Sequence, residues 1–376
     1  MTVVVLCFTE LSSKFPGAIG IRAFTKAAFG NRVSLASTLF YVCMIILMGA
    51  LEIFLCHLLL QQLFPQTVGI LLLCLLLCFV LIVNLNGYEL SLRLQVLMTL
   101  LVVTMMVGLS TMALSGITTV QPTKSHMDFF QSVPGALFLF VGIEWAVMHV
   151  SRHESFKRTL PIALIISVMT IGILYSVFGA ALNSYFPSSQ LPSLQLPHLE
   201  LARRLNASGA IWIVTVLSLL AMLTSFNVGL SGAARILYSL AREREIPAWF
   251  AGINSSNLVP KNAMLFITGS VLLMVPVMAV ATISSYISLL LGFHLCLVYA
   301  MVLFAWWQMR RKSDQRGTRQ PINNYFVWPV LVFLVAISLG VLAEINSMVI
   351  QLMLLAEGLT IFIICTYPFR SAVAKT

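Results

Sequence analysis

Leu137 to Val150 reads LFLFVGIEWAVMHV, an oily stretch into which the chain has set a glycine, Gly142, and two residues later a carboxylate, Glu144. The two residue types do different chemistry. Glycine accepts backbone conformations that side-chain-bearing residues resist, so a helix can unwind there. An acid at the middle of a membrane helix costs on the order of 2.5–3.5 kcal/mol, so its presence needs a reason. Unwinding in lipid leaves N–H and C=O groups unpaired, which is tolerated only where they line a cavity. Interrupted helices near the midplane bind the charged groups of a substrate, and an acid beside them can exchange protons. The pair therefore points to a binding site in which the Gly142 backbone is a ligand and Glu144 is the proton-coupling candidate. Pro134 and Gly135 loosen the start of the same segment. An unbroken helix, with Gly142 making a packing contact and Glu144 protonated, fits the same residues and stays open.

The elements that must position these groups are membrane helices. Of the 376 residues, 60% are hydrophobic and only 9% charged, where a soluble domain carries about a quarter charged residues. Segments long enough to cross ~30 Å of hydrocarbon lie near 34–60, 69–86, 95–115, 133–150, 162–182, 209–232, 263–282, 286–309, 326–345 and 348–366. Met1 to Ser13 is a shorter apolar stub without the basic start and small-residue cleavage site of a signal peptide. With loops assigned alternately to two sides, all of the 22 Lys and Arg except Lys124, Arg203 and Arg204 fall on one side. Basic loops mark the cytoplasmic face, so the C-terminus is expected there and the protein is expected to be multi-pass in the cell inner (plasma) membrane. The formal charge of +10 is thus accounted for by topology, with no nucleic acid as partner.

Other polar groups in or near the spans have plainer explanations. His57 and Glu344 suit positions near water, and Glu52 and Glu357 suit packed, hydrogen-bonded or protonated structural roles; His294 is a further ionisable group inside a span. Thr224, Ser225 and Asn227 could coordinate a cation, but such groups at helix contacts more often serve packing. Arg152, His153, Glu154, Lys157 and Arg158 form a cluster that is either ordinary flanking charge or an inner gate. Gly17 to Asn31 has helical spacing and is expected at the membrane interface. The seven cysteines lie in apolar segments without His or acid partners at ligand spacing, so no metal site is expected. No His-Glu-x-x-His, Gly-x-Ser-x-Gly or phosphate-binding loop occurs, which excludes the common hydrolases and ATP-driven transport. The protein is expected not to be an enzyme and to need no cofactor.

Four stretches together resemble the amino acid/polyamine/organocation (APC) superfamily of permeases. Phe140-Val-Gly-Ile-Glu144, followed by basic residues and Leu160-Pro161, resembles the family's sixth helix. Thr9-Glu-Leu-Ser-Ser-Lys-Phe-Pro-Gly17, continuing through Gly20 to Phe29-Gly30, is similar to the end of its second helix and the following loop. Asn84-Leu-Asn-Gly87, with Ser91 and Gln95, resembles the connection into the fifth helix, and Gly232-Ala-Ala-Arg235 through Trp249-Phe250 the end of the eighth. Gly142-Ile-Glu144 with His149-Val150 and Phe186-Pro187 looks most like the glutamate/GABA antiporter branch.

The resemblance implies an all-α fold of the leucine-transporter type, with two inverted five-helix repeats and two further helices, forming a single transporter domain over 1–376. Residues 1–115 would be an incomplete first repeat, 133–309 the second repeat and 326–366 the additional pair. It also implies alternating-access transport of amino acids or related small amines, proton-coupled or by exchange. The implied substrate-binding residues are Phe138, Val141, Gly142, Ile143 and Glu144, with Phe138 as aromatic lid, and the gate candidates are Phe138, Arg152, Glu154 and Arg235. The implied partners are the lipid bilayer and a small amino acid or amine, with a homodimer permitted. Three departures stand out. Arg152 replaces an acid, Ser155-Phe156 replaces Asn-Pro, and the paired glycines are reduced to Ile19-Gly20. In addition, Met1 to Ser13 matches only the end of the second helix, so a first helix, which in the family carries the other broken segment, is expected to be lacking. A transport-inactive remnant or non-transporting membrane protein of the same family is the alternative.

Overall fold

A backbone in hydrocarbon must satisfy its own N–H and C=O groups, and a run of apolar residues does so by becoming a helix. The computed structural model describes residues 1–15, 20–86, 88–116, 129–148, 154–187, 190–191, 194, 196–205, 209–254, 258–314 and 324–366. In chain order the helices are α1 (Thr2–Lys14), α2 (Gly20–Phe29), α3 (Asn31–Gln61), α4 (Gln66–Asn86), α5 (Tyr88–Ser115), α6 (Phe129–Phe138) and α7 (Ile143–Met148). They continue as α8 (Glu154–Tyr185), α9 (Pro197–Arg204), α10 (Ala210–Arg242), α11 (Lys261–Met278), α12 (Ala281–Asp314), α13 (Asn324–Glu344) and α14 (Met348–Thr366). Among the described residues, 9 helices are long and apolar enough to cross a membrane, and no strand occurs. The protein is an all-α polytopic membrane protein, as the composition requires.

Nine of the ten expected spans match single helices. The tenth, 133–150, is two short helices, α6 and α7, with residues 139–142 between them. Several helices also overrun their apolar windows: α10 runs on to Arg242 and α12 to Asp314. Hydropathy stops at the first charges, but a helix leaving the bilayer keeps its hydrogen bonds.

The chain divides into two compact units, each assembled from separate stretches. The first comprises Met1–Leu51, Asp128–Val168 and Gly229–Thr376, and α12 is its central post. It packs on α13, α6, α2, α1, α11 and α14. It passes close to α6: a Cβ added at Gly292 would stand 2.7 Å from the Cβ of Pro134. Small residues allow membrane helices this kind of approach.

The second unit comprises Glu52–Met127 and Met169–Val228. Leu59, Leu109, Leu199, Ala202, Ala210 and Val214 form one of its cores. Here Asn84 Nδ2 donates to Asn227 Oδ1, Thr224 Oγ1 donates to the Ala221 carbonyl at 2.7 Å, and Ser225 lies beside Glu52. Of the polar residues considered for a cation, Asn227 thus joins α10 to α4, and Thr224 bonds the backbone of its own helix. His57 pairs with Gln61 at 2.8 Å in an exposed position, and Glu344 is exposed.

The segment expected at the interface does form a helix, α2, but one face of it is buried against the first unit. Ile21, Arg22, Phe24, Thr25 and Ala28 are enclosed, and Phe24 meets Phe8 edge-on at 6.1 Å. Gly30, at φ +85°, turns the chain from α2 into α3 through a left-handed conformation that glycine alone adopts without strain.

Arg22 lies at the centre of a polar lock. Its Nη2 donates to Asn31 Oδ1 at 2.8 Å and to Glu243 Oε2 at 3.1 Å, and its Nη1 to the Asn31 carbonyl at 3.2 Å. Lys26 adds a 2.6 Å bond to Glu243, and Asn31 Nδ2 donates to Glu245 Oε1 at 2.7 Å. The lock ties α2 to the chain just past α10. Burial pushes the Glu243 carboxyl up, but the Lys26 hydrogen bond and the Arg22 charge outweigh it and hold it below the usual value of 4.5.

A carboxyl depressed in the folded state stabilises the fold fully above its ordinary value, and that contribution drains away as pH falls through the depressed one. The thermal midpoint is therefore expected to drop as pH falls below 4.5, and Glu243→Gln, already lacking the charge, is expected to show a smaller drop. Glu243 is 31% exposed, so solvent screening keeps the effect modest.

Candidate functional site

The interruption between α6 and α7 has a local cause. Phe140 and Val141 donate to the carbonyls of Leu137 and Phe138, each at 3.0 Å, which tightens the last turn of α6. Gly142 then takes φ +104°, where an L-residue is strained and a helix cannot continue. The chain re-enters a helix at Ile143, and Trp145 N–H donates to the Gly142 carbonyl at 3.0 Å. The open alternative of an unbroken helix is thereby resolved: the segment is broken, at the residue whose type allows it.

Glu144 folds back across this break. It is 1% exposed, yet both its oxygens are satisfied. Tyr41 Oη on α3 donates to Oε1 at 3.1 Å, and Tyr299 Oη on α12 donates to Oε2 at 2.7 Å. The Gly142 N–H adds a third bond to Oε2 at 3.2 Å. Three donors converging on one carboxylate serve its ionised form. Holding the neutral acid requires at least one phenol to reverse its O–H. Protonation at Glu144 therefore changes its hydrogen bonding with Tyr41 on α3 or Tyr299 on α12.

Aromatic packing holds the cradle in place. Tyr299 meets Phe8 of α1 edge-on at 5.8 Å. The Trp145 ring fills the space beside two glycines, 3.5 Å from a Cβ built at Gly142 and 3.4 Å from one at Gly229. The contact at Gly142 is ordinary, so the cost of a side chain there is conformational. Gly142→Ala is expected to lower stability by about 1–3 kcal/mol, the range for a residue forced into a sparsely populated backbone region. Gly179→Ala on α8, where nothing lies within 4 Å, is expected to be neutral or slightly stabilising. Thermal unfolding of the two variants side by side checks this.

The expected site residues are distributed as follows. Phe138 ends α6, half-buried, and its carbonyl takes the Val141 N–H. Val141 and Gly142 form the break, and Ile143 and Glu144 are buried at the start of α7. Arg235, half-buried on α10, is not among the partners of the Glu144 carboxylate. Arg152 lies outside the described residues, and of Glu154 only its place at the start of α8 is described.

Tyr41 and Tyr299 were not foreseen. A tyrosine in an apolar helix is common, and the only hint in the sequence is that each is a polar tip in a span needing a partner. The Arg22–Glu243 lock was hidden too, because its members count as ordinary flanking charges.

Comparison with known proteins supplies the remaining observation. Residues 1–366 match the family model described as "Amino acid permease". Over 251 residues the chain is 25% identical to amino acid transporter protein 6 of Caenorhabditis elegans, covering 63% of this chain and 45% of that protein. Over 141 residues it is 31% identical to an uncharacterized amino acid permease of Bacillus subtilis, covering 36% and 30%. Over 246 residues it is 27% identical to the gamma-aminobutyric acid permease of Escherichia coli, covering 62% and 51%. The chain thus spans about half or less of the length of these relatives. The family match over nearly the whole sequence, with nine helices among the described residues able to cross a membrane, shows that the chain belongs to the amino acid permease family.

Proposed function

We propose that this protein is a secondary active transporter of amino acids or related small amines, working by alternating access in the cell inner membrane. The family is one of permeases, not of enzymes. The observation that carries the proposal is the interruption at 139–142 with Glu144 held beside it by Tyr41 and Tyr299. In this scheme the unwound backbone at Val141 and Gly142, with Ile143 at the start of α7, receives the substrate's polar groups and Phe138 covers it. Glu144 exchanges the coupling proton, either in proton-driven uptake or in exchange of one substrate for another. Arg152, Glu154 and Arg235 act at the inner gate. The crowding of Lys and Arg on one side supports a cytoplasmic C-terminus. Relatives bear names as different as gamma-aminobutyric acid permease and cationic amino acid transporter, so the substrate is assigned as a class.

The test is uptake of radiolabelled amino acids into liposomes containing the purified protein. Uptake that follows an imposed pH gradient supports proton coupling, and uptake that needs internal amino acid supports exchange. A correctly folded protein that moves no amino acid under either condition overturns the proposal in favour of a non-transporting membrane protein.

A further inference from the structure

A second intramembrane acid has a partner that the site above does not use. Glu357 on α14 faces His294 on α12, and His294 Nε2 lies 3.1 Å from both carboxylate oxygens. His294 is 0% exposed, and the Glu357 side chain 13%. The other ring nitrogen, Nδ1, is 2.7 Å from the Leu290 carbonyl. A carbonyl only accepts, so Nδ1 must carry a hydrogen. In a neutral imidazole Nε2 is then a bare lone pair, pointed at a carboxylate that also only accepts. Such a contact is repulsive and leaves a buried charge unmatched. The geometry is consistent only when one further proton lies between Nε2 and the carboxyl group, whichever atom holds it.

The surroundings keep the pair dry. The Phe40 ring stacks on the imidazole at 4.2 Å and 13°, and Phe293 stands edge-on to it at 5.6 Å. The titratable group facing the pair from α3 is Cys43, whose thiol lies near the Glu357 carboxyl. Of the other helices packed on α12 here, α6 has no titratable residue, and α13 has Tyr325 and Glu344 only toward its ends.

The pair also sits where a polar tie matters. Only 6% of the apolar window of α14 is buried, against 72% for α12. Among the described residues, two other side-chain bonds leave α14: Gln351 to the nearby Ile345 carbonyl at 3.0 Å, and Cys365 to the Arg32 carbonyl at 3.8 Å. The first is local and the second is weak.

We propose that His294 and Glu357 form a proton-binding site, additional to Glu144, whose single shared proton clasps α14 onto α12. Loss of that proton opens the clasp. Both sites are built by the same pair of helices: α3 gives Tyr41 to Glu144 and the Phe40 ring to His294, and α12 supplies Tyr299 and His294. The proposal does not depend on what the protein transports.

Glu357→Gln provides the test, because an amide N–H can donate to the bare Nε2 without any added proton. The full chain in lipid nanodiscs is melted between pH 5.5 and 9.5 as wild type, Glu357→Gln and Glu357→Leu. The wild-type midpoint is expected to fall by several degrees at the alkaline end relative to Glu357→Gln, whose clasp does not titrate. Glu357→Leu is expected to melt lower than both at acidic pH. Infrared difference spectra across the same pH step read the proton directly: a protonated-carboxyl or imidazolium band is expected to disappear in wild type and to be absent from the change in Glu357→Gln. Superimposable melting profiles for wild type and Glu357→Gln, or identical difference spectra, would overturn the proposal.

Discussion

Glu144→Ala is expected to lower the stability of the folded protein by about 2–5 kcal/mol. It leaves the Tyr41 and Tyr299 hydroxyls and the Gly142 N–H aimed at an emptied space. Each buried donor without an acceptor costs about 1–3 kcal/mol, while interhelical hydrogen bonds in membranes average nearer 0.6 kcal/mol because the unfolded helices find other partners. Glu144→Gln separates structure from coupling. Its amide oxygen still accepts two bonds, and its NH₂ can donate to a phenol that has turned its O–H, so stability is expected to change by only about 1 kcal/mol. Amino-acid uptake driven by a pH gradient is nevertheless expected to fall at least about tenfold, since general proton transfer by a positioned group accounts for factors of ~100 or more where it is used. Proteoliposome uptake beside a melting curve checks both. A Glu144→Gln protein that folds and retains pH-driven uptake would remove the proton role and leave the acid a structural one.

Arg22→Met is expected to be more damaging than any other substitution in this lock, at about 1–3 kcal/mol, the range for leaving buried acceptors without their donor, because the carboxylate left behind is 31% exposed and keeps Lys26. Methionine keeps much of the length and the apolar stem, so the loss reports the guanidinium. That group is 4% exposed and reaches Glu243, the Asn31 side chain and the Asn31 carbonyl at once. Arg22→Lys is expected to recover only part of the loss, because a single ammonium cannot span the fork of contacts that the planar group makes. Glu243→Gln is expected to cost less than Arg22→Met, since Glu243 is partly exposed and Glu245 remains near Arg22 at 4.0 Å. Melting midpoints of the three variants at neutral pH rank them. Equal midpoints for Arg22→Met and wild type would show that α2 is held by its apolar face alone.

The membrane helices were legible in the sequence because lipid allows few solutions. An apolar run of sufficient length has little choice but to become a helix, and nine described helices follow from that rule. The break was legible for a related reason, since Gly142 and Glu144 are conspicuous in such a run. What the run could not settle was whether the glycine opened the backbone or packed against a neighbour. It does both, with φ +104° and a tryptophan ring against its face.

The partners of the acids lay beyond the sequence. Tyr41 is 103 residues from Glu144 and Tyr299 is 155 residues away. His294 and Glu357, 63 residues apart, were each visible as an ionisable group without any sign that they meet. Periodicity places a residue on a face of its own helix, but it carries no information on which other helix that face will touch. The amino-acid order alone determined that the chain crosses lipid repeatedly, which loops are basic, and where one helix had to yield. Only the packing of α3, α7, α12 and α14 decided which polar groups meet inside the membrane. There, with water absent, the hydrogen-bond partners a buried acid finds determine what it can do.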